Sequence, residues 1–350
     1  MFDTVIDTSY PDRSSFVVNI QEVARRAGVS TATVSRYLAG EHVRRAEAVA
    51  AAVLELDYRP SPTARGLRMG RHLAVGVVVP DIANPFFAWV TRGIENVLAP
   101  AGLQVALSNS DESVQREAEL VADLQRRVDG VILAPATETD SVPDYLAAAG
   151  TPVVFIDRGL RENTRFDVVE VDNSIGAAAV ATHLAELGHR SIGMISGPLT
   201  STPGRERHEG FLSRLGDLGH QIQPAHIVVA DFKESGGKLA MVRLLDQAEP
   251  PTGVFVANNL MSIGALKAVR EMGLRIPHDI SVVGFDDLDL GPLLDPPFTV
   301  IERPTVTQGE VAARLMLERL RDPQRPQQSV VLPVQLIVRA STAAPHRRTT

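Results

Sequence analysis

The 350-residue sequence contains no cysteine. That excludes a disulfide framework, a thiolate metal site and a thiol nucleophile, and it suits a reducing cytosol. No apolar run reaches membrane-spanning length. The first 18 residues carry Asp3, Asp7, Asp12 and Arg13 but neither a basic stretch nor an apolar one, so they do not read as a secretory signal. A soluble, cytoplasmic chain is expected. Enzyme signatures are missing as well: there is no Gly-x-Gly-x-x-Gly, Walker loop, Gly-x-Ser-x-Gly or His-Glu-x-x-His. The nine histidines are scattered. His183 and His189 flank the end of one expected helix, and with no spaced carboxylate beside them they read as solvent-facing or capping groups. No catalytic residue, metal site or cofactor is expected.

What is present is enough apolar material, 44% of residues, to bury a large core in more than one domain. The formal charge of −7 argues against a general polyanion binder, but it is unevenly spread. Residues 18–71 hold nine arginines against Glu22, Glu41, Glu47, Glu55 and Asp57, a net of +4 that leaves about −11 for the rest. A basic module joined to an acidic one places any contact with nucleic acid in the first 71 residues.

Residues 1–18 show no sustained periodicity and read as a flexible leader. From Asn19 to residue 59 the spacing of alanines and valines predicts three short helices. Pro60 and Pro62 then interrupt, because the residue before a proline is pushed out of the helical region. After Arg71 come short, nearly unbroken apolar runs at 73–79, 130–134, 153–156, 191–195, 253–257 and 280–285. Helical stretches at 85–98, 114–127, 175–187, 205–215 and 262–272 alternate with them. Strands buried on both faces and interleaved with helices predict parallel sheets in an α/β architecture. Ligands of such sheets bind beyond the carboxyl ends of the strands, and polar residues gather there: Asp81 and Asn84, Asp157 and Arg158, Asn258 and Asn259, Asp286 and Asp287. Any one of these groups could equally be an ordinary polar turn.

Asn19-Ile20-Gln21-Glu22 is a helix-start signature, with Asn19 as cap and Glu22 able to bond back. Gly28 is placed to stop that helix in a left-handed turn, and Ser30 to cap the next one, from Thr31 to about Leu38. Val23, Ala24, Ala27, Val29, Val34 and Leu38 would form a shared core. Helix–Gly–helix hairpins also occur in proteins that never touch DNA. The outward face favours a DNA reader, since Thr31, Ala32, Ser35 and Arg36 point away from the core at a helix N-terminus. Arg36 suits guanine, while Ala32 and the Thr31 methyl suit a thymine methyl. Downstream, residues 61–68 read as a capped, Pro-started turn or two of helix, too short to hold alone and weakened by Gly66. This is either a plain linker with one buried leucine or a segment that folds on a partner.

The run Asn19-Ile-Gln-Glu-Val-Ala-Arg-Arg-Ala-Gly-Val-Ser-Thr-Ala-Thr-Val-Ser-Arg36 resembles the signature of the lactose/galactose repressor family. The likeness continues through residues 75–87, 129–133, 187–190 and 279–287, and it covers essentially 19–341. It implies a homodimeric regulator on a pseudo-palindromic operator. The fold it implies is a small all-α helix-turn-helix head, a hinge at 60–71 and a type I periplasmic-binding-protein-like effector domain at 72–341. One subdomain of that domain would take 72–160 and 292–322, the other 161–291 and 323–341, leaving a flexible tail at 342–350. By this resemblance DNA is met by Ser30, Thr31, Ala32, Thr33, Ser35, Arg36 and His42, with Leu67 and Arg68 of paired hinge helices in the minor groove. Ala39 stands where the family usually has Asn, Arg44 stands where it has a Ser or Thr cap, and the loop between them is a residue short.

The resemblance also implies an effector cleft lined by Asp81, Asn84, Phe86, Phe87, Asp157, Arg158, Arg207, Phe232, Asn258 and Asp286. Donors and acceptors beside aromatic faces suit a sugar-like ligand. Asn259 replaces an aspartate usual in the family. A sugar-binding protein with no DNA role is the alternative, since residues 72–341 alone would support it. The chain stops about ten residues after its last expected strand, which leaves a dimer as the expected assembly.

Overall fold

The computed structural model describes residues 18–58, 72–138, 144–147, 150–161 and 165–346. The chain divides into two units, Met1–His72 and Leu73–Thr350. Among the described residues no helix is long and apolar enough to cross a membrane. The expected hinge, with Leu67 and Arg68, lies outside the described residues, as does most of the leader.

In the first unit three helices pack on one another: α1 (Ile20–Ala27), α2 (Thr31–Leu38) and α3 (Ala46–Glu55). Asn19 and Glu22 form the reciprocal capping box, and Gly28 is left-handed at φ 63°. Val23, Ala24, Ala27, Val34, Val49 and Ala52 are buried together, with Val29 and Leu38 half-buried at their edge. Each wholly buried valine is worth about 1.5–3 kcal/mol over an exposed one. The third helix starts one residue later than the family pattern implies. Its cap position is Arg45 rather than Arg44, and no side chain accepts there. Arg45 instead donates Nη1 to the Gly28 carbonyl at 3.0 Å, bracing the turn, and Arg26 pairs with Glu55 at 2.7 Å, tying α1 to the end of α3.

The second unit holds two six-stranded sheets. The first contains β1 (Ala74–Val79), β2 (Gln104–Asn109), β3 (Gly130–Leu133), β4 (Val153–Ile156), β5 (Asp167–Val171) and β11 (Ser329–Leu332), ordered β11-β5-β4-β3-β1-β2 and wholly parallel. The second contains β6 (Ile192–Ser196), β7 (Ile227–Val229), β8 (Gly253–Val256), β9 (Ser281–Phe285), β10 (Thr299–Glu302) and β12 (Gln335–Ile337). Its order is β12-β10-β9-β8-β6-β7, parallel except for the antiparallel edge β12. Helices α4 (Pro85–Leu98), α5 (Val114–Leu124), α6 (Asp144–Ala147) and α11 (Thr305–Arg321) belong to the first subdomain. To the second belong α7 (Asn173–Glu186), α8 (Thr202–Asp217), α9 (Glu234–Leu245) and α10 (Asn259–Glu271).

The α/β reading holds, but the subdomain boundaries shift by about ten residues each time. β5 pairs with β4, placing 161–171 in the first subdomain, and β10 pairs with β9, placing 292–302 in the second. β11 pairs with β5, so the last crossing falls near 333 rather than 323. A strand buried on both faces reads alike whichever sheet holds it, and only the pairing partner decides. The tail expected from 342 is also held further than that. Thr342 Oγ1 lies 2.9 Å from His183 Nε2, and Ala343 bonds both His189 and Ser281.

α4 and α11 cross at two glycines. A Cβ on Gly93 would stand 2.0 Å from the Val306 carbonyl oxygen, and one on Gly309 would stand 2.1 Å from that of Val90. No side chain fits at that contact.

Candidate functional site

On α2, Ser30 caps the helix by accepting from the Thr33 amide at 3.2 Å, and its Oγ lies 3.0 Å from Thr33 Oγ1. The two hydroxyls therefore shape the first turn. Ser30, Ala32 and Arg36 are exposed, Thr31, Thr33 and Ser35 half-buried, and His42 is exposed just beyond the helix. All seven lie within one helix and its flanks. The described part of this unit holds five arginines against five acids, so the basic surplus read from the sequence resides in Arg59, Arg65, Arg68 and Arg71.

In the second unit all ten residues expected at an effector cleft line one cleft. They reach it from strand ends: Asp81 and Asn84 beyond β1, Asp157 and Arg158 beyond β4, Asn258 beyond β8, Asp286 beyond β9. Glu112, Asp157, Phe232 and Asp286 have left-handed backbones, with φ of 56°, 67°, 62° and 67°. Each such non-glycine residue costs about 1–3 kcal/mol and persists only where surrounding structure enforces it. Phe232 has room because residue 197 is glycine: a Cβ there would stand 2.1 Å from the Phe232 ring.

The interior is a network of charges. Arg158 grips Glu112 with both terminal nitrogens, at 2.7 and 2.9 Å. Burial works against its charge, but Glu112, together with Asp157 and Glu117, outweighs burial and raises its pKa above the usual arginine value. Arg207, 2% exposed, donates to Asn173 Oδ1 at 2.9 Å and to the Ala257 carbonyl at 2.7 Å, and it lies 3.5 Å from Asp286 Oδ2. Its guanidinium sits 3.6 Å from the centre of the Phe285 ring. Burial pushes its pKa down to about 10, with Asp286 pulling the other way, so it remains charged at neutral pH. Its Nη2 is buried without a hydrogen-bond partner.

Two expected ligand residues are otherwise engaged. Asn84 Oδ1 caps α4 through the Phe86 amide, and Asn258 caps α10 through the Met261 amide while donating to the Phe232 carbonyl. Phe86 and Phe87 pack edge to face at 4.8 Å. The space left between the lining side chains is about 30 Å³, room for a water or two and not for a sugar ring.

Sequence reasoning missed Glu112, Pro203, Asp231, Lys233 and Arg303, which also line the cleft. Asp231 and Lys233 flank Phe232 and were legible by adjacency. Glu112 follows β2 and Arg303 follows β10, two strands without an unbroken apolar run, so their strand-end positions gave no signal. The histidines need correction too. His189 is wholly buried, its Nε2 donating to the Ala343 carbonyl at 3.0 Å while Nδ1 faces Thr252 Oγ1 at 2.8 Å.

Residues 19–61 match the model of bacterial regulatory proteins of the lacI family, and residues 181–342 match a periplasmic binding protein-like domain. The chain is 35% identical over 315 residues to the HTH-type transcriptional repressor PurR of Haemophilus influenzae, covering 87% of this chain and 91% of that one. The solved lac repressor dimer bound to operator and the anti-inducer ONPF is 30% identical, with a TM-score of 0.83 over 94% of this chain and all of that one. The complex of the transcriptional regulator CelR with cellobiose is 33% identical, with a TM-score of 0.72 over 93% of this chain and 99% of that one.

Proposed function

The chain belongs to the lacI family of bacterial regulatory proteins, and on that premise we propose that it is a transcriptional repressor whose hold on operator DNA is set by a small sugar-like effector. One observation carries the reading: a single chain holds both a capped helix-turn-helix with Ala32 and Arg36 exposed on its second helix and a strand-end cleft lined by charged and aromatic groups. Ser30, Thr33, Ser35 and His42 would bond phosphates and fix register, Thr31, Ala32 and Arg36 would read base edges, and Leu67 and Arg68 would enter the minor groove. The protein works in the cytoplasm, where its DNA is, as a homodimer on a pseudo-palindromic site. Trp89, Leu290 and Leu293, which are 48%, 65% and 80% exposed and line one groove, offer an apolar surface that a second copy could cover. No reaction is assigned to the chain.

The effector acts by binding one arrangement of the two subdomains better than another, and it shifts operator affinity only by that difference. Arg207 and Asp286 are the principal polar contacts offered to it. The test has two stages. The full-length protein selects its operator from random duplex DNA, and the selected duplex is then titrated at fixed salt with and without a panel of sugars. One sugar should shift the affinity, and Asp286→Asn should abolish the shift while the variant still prefers the selected duplex to random DNA. A protein that binds a sugar but enriches no DNA sequence would be a sugar-binding protein without a DNA role, and the proposal would fall.

A further inference from the structure

Arg303 stands at the second crossing between the subdomains, directly after β10, yet its side chain reaches back into the cleft and is 3% exposed. Its guanidinium lies 3.5 Å from the centre of the Phe86 ring, Nη1 donates to Asp157 Oδ1 at 2.5 Å, and Nε lies 2.5 Å from Asp286 Oδ1. Asp157 and Phe86 belong to the first subdomain and Asp286 to the second. A single planar cation thus stacks on the aromatic wall and touches both buried carboxylates across the cleft. A flat, donor-rich ligand would have to make those same contacts.

We propose that Arg303 is an internal occupant of the effector cleft, holding the subdomains closed when no ligand is bound and yielding its place to the ligand. The proposal rests on the effector reading of this cleft for what displaces Arg303, but not for the closure itself.

Three features support it. First, the cleft is already full, since the remaining space of about 30 Å³ is too small for a ring. Second, Arg303 is an imperfect guest. Its Nε meets Asp286 at ionic distance without hydrogen-bond geometry, so Nε and Asp286 Oδ1 are both buried without a hydrogen-bond partner. Buried groups left so are costly, and a ligand with better-aimed hydroxyls would relieve them. Third, the carboxylates are not abandoned when Arg303 leaves, because Arg158 Nε lies 3.9 Å from Asp157 and Arg207 lies 3.5 Å from Asp286.

The charge count then sets the ligand class. The lining carries Asp81, Glu112, Asp157, Asp231 and Asp286 against Arg158, Arg207, Lys233 and Arg303, one negative charge in excess, and without Arg303 the excess is two. The displacing ligand is therefore a neutral polyhydroxyl ring or a cation, and phosphorylated or carboxylated sugars are disfavoured.

The full chain offers a clean measurement, because it has no cysteine to compete with introduced labels. Gln115→Cys on α5 and Leu239→Cys on α9, both exposed, would carry a donor and an acceptor dye, one on each subdomain. Without DNA or sugar, the labelled chain that retains Arg303 should be mostly closed. Arg303→Ala should lower the closed-to-open ratio roughly threefold or more, the shift expected when a differential contact is lost. Methylguanidinium chloride should then restore closure and raise the melting temperature of Arg303→Ala, whereas methylammonium chloride at the same concentration should not. Arg303→Lys keeps the charge without the plane. It should open partly and ignore methylguanidinium, which keeps the test decisive if the alanine variant folds poorly. Distance distributions that stay the same in both Arg303→Ala and Arg303→Lys, with neither chain opening, would overturn the proposal. So would opening that methylguanidinium and methylammonium reverse equally. Opening and rescue with no sugar ever binding would instead leave the latch standing and remove the effector reading.

Discussion

Asn259 Nδ2 donates to Asn84 Oδ1 at 2.8 Å, tying the first residue of α10 to the residue that caps α4 and so one subdomain to the other. The amide is needed at 259, because the aspartate usual in the family would aim an acceptor at an oxygen that already accepts from the Phe86 amide. Asn259→Ala removes the bridge, together with the bond that its Oδ1 accepts from the Leu260 amide at 2.8 Å, and should cost about 0.5–1.5 kcal/mol. Asn84→Ala removes the bridge and the cap together and should cost about 1 kcal/mol more. Urea unfolding of both single variants and the double variant measures this directly. Equal costs for the two single variants would show that the cap adds no more than the Leu260 bond lost with Asn259.

Arg36→Ala should reduce the preference for the selected operator over random duplex by about 1–3 kcal/mol, the worth of a bidentate guanine contact. Arg36 is exposed on α2 and no ion pair holds it among the described residues, so its loss should leave the fold intact. Titrations at a single salt concentration check the difference. Unchanged discrimination would remove Arg36 from the reading face.

Gly93→Ala should destabilise the second unit although helix propensity alone favours alanine by about 1 kcal/mol. The added methyl meets the Val306 carbonyl oxygen at 2.0 Å, a backbone atom that cannot rotate away, and forcing helices apart costs about 1–3 kcal/mol or more. A lowered thermal midpoint is the expected result. A raised one would mean that α4 and α11 do not approach as closely as described.

His189 should make stability fall on acidification. Burial holds its pKa below the ordinary value of 6.5, with the Ala343 carbonyl pulling upward and His183 downward. A depressed folded-state value means that the unfolded chain takes up the proton first. The contribution is therefore complete above pH 6.5 and is lost as pH falls from there through the folded-state value. Replacing His189 with glutamine should flatten the pH dependence of the urea midpoint below neutrality. A slope unaltered by the substitution would place the titration elsewhere.

Much of this protein was determined by local sequence alone. Asn19, Glu22, Gly28 and Ser30 specify the helix-turn-helix because capping and left-handed termination act within a few residues. The apolar runs at β1, β3, β4, β6, β8 and β9 specify parallel strands, and the polar residues beyond them mark the cleft. What only the tertiary structure decided is what depends on distant partners. β5 and β10 could have joined either sheet, and hydrogen-bond register with β4 and β9 settled it. His189 looked like a surface group until the chain's own end, at Ala343, returned to cover it. Arg303 gave no signal in sequence, because its importance lies in Asp157, 146 positions away, in the Phe86 ring at the start of α4 and in a second carboxylate beyond β9. Capping and periodicity are short-range and legible in one dimension, whereas the pairing of buried charges is fixed only when folding brings their carriers into the same water-poor space.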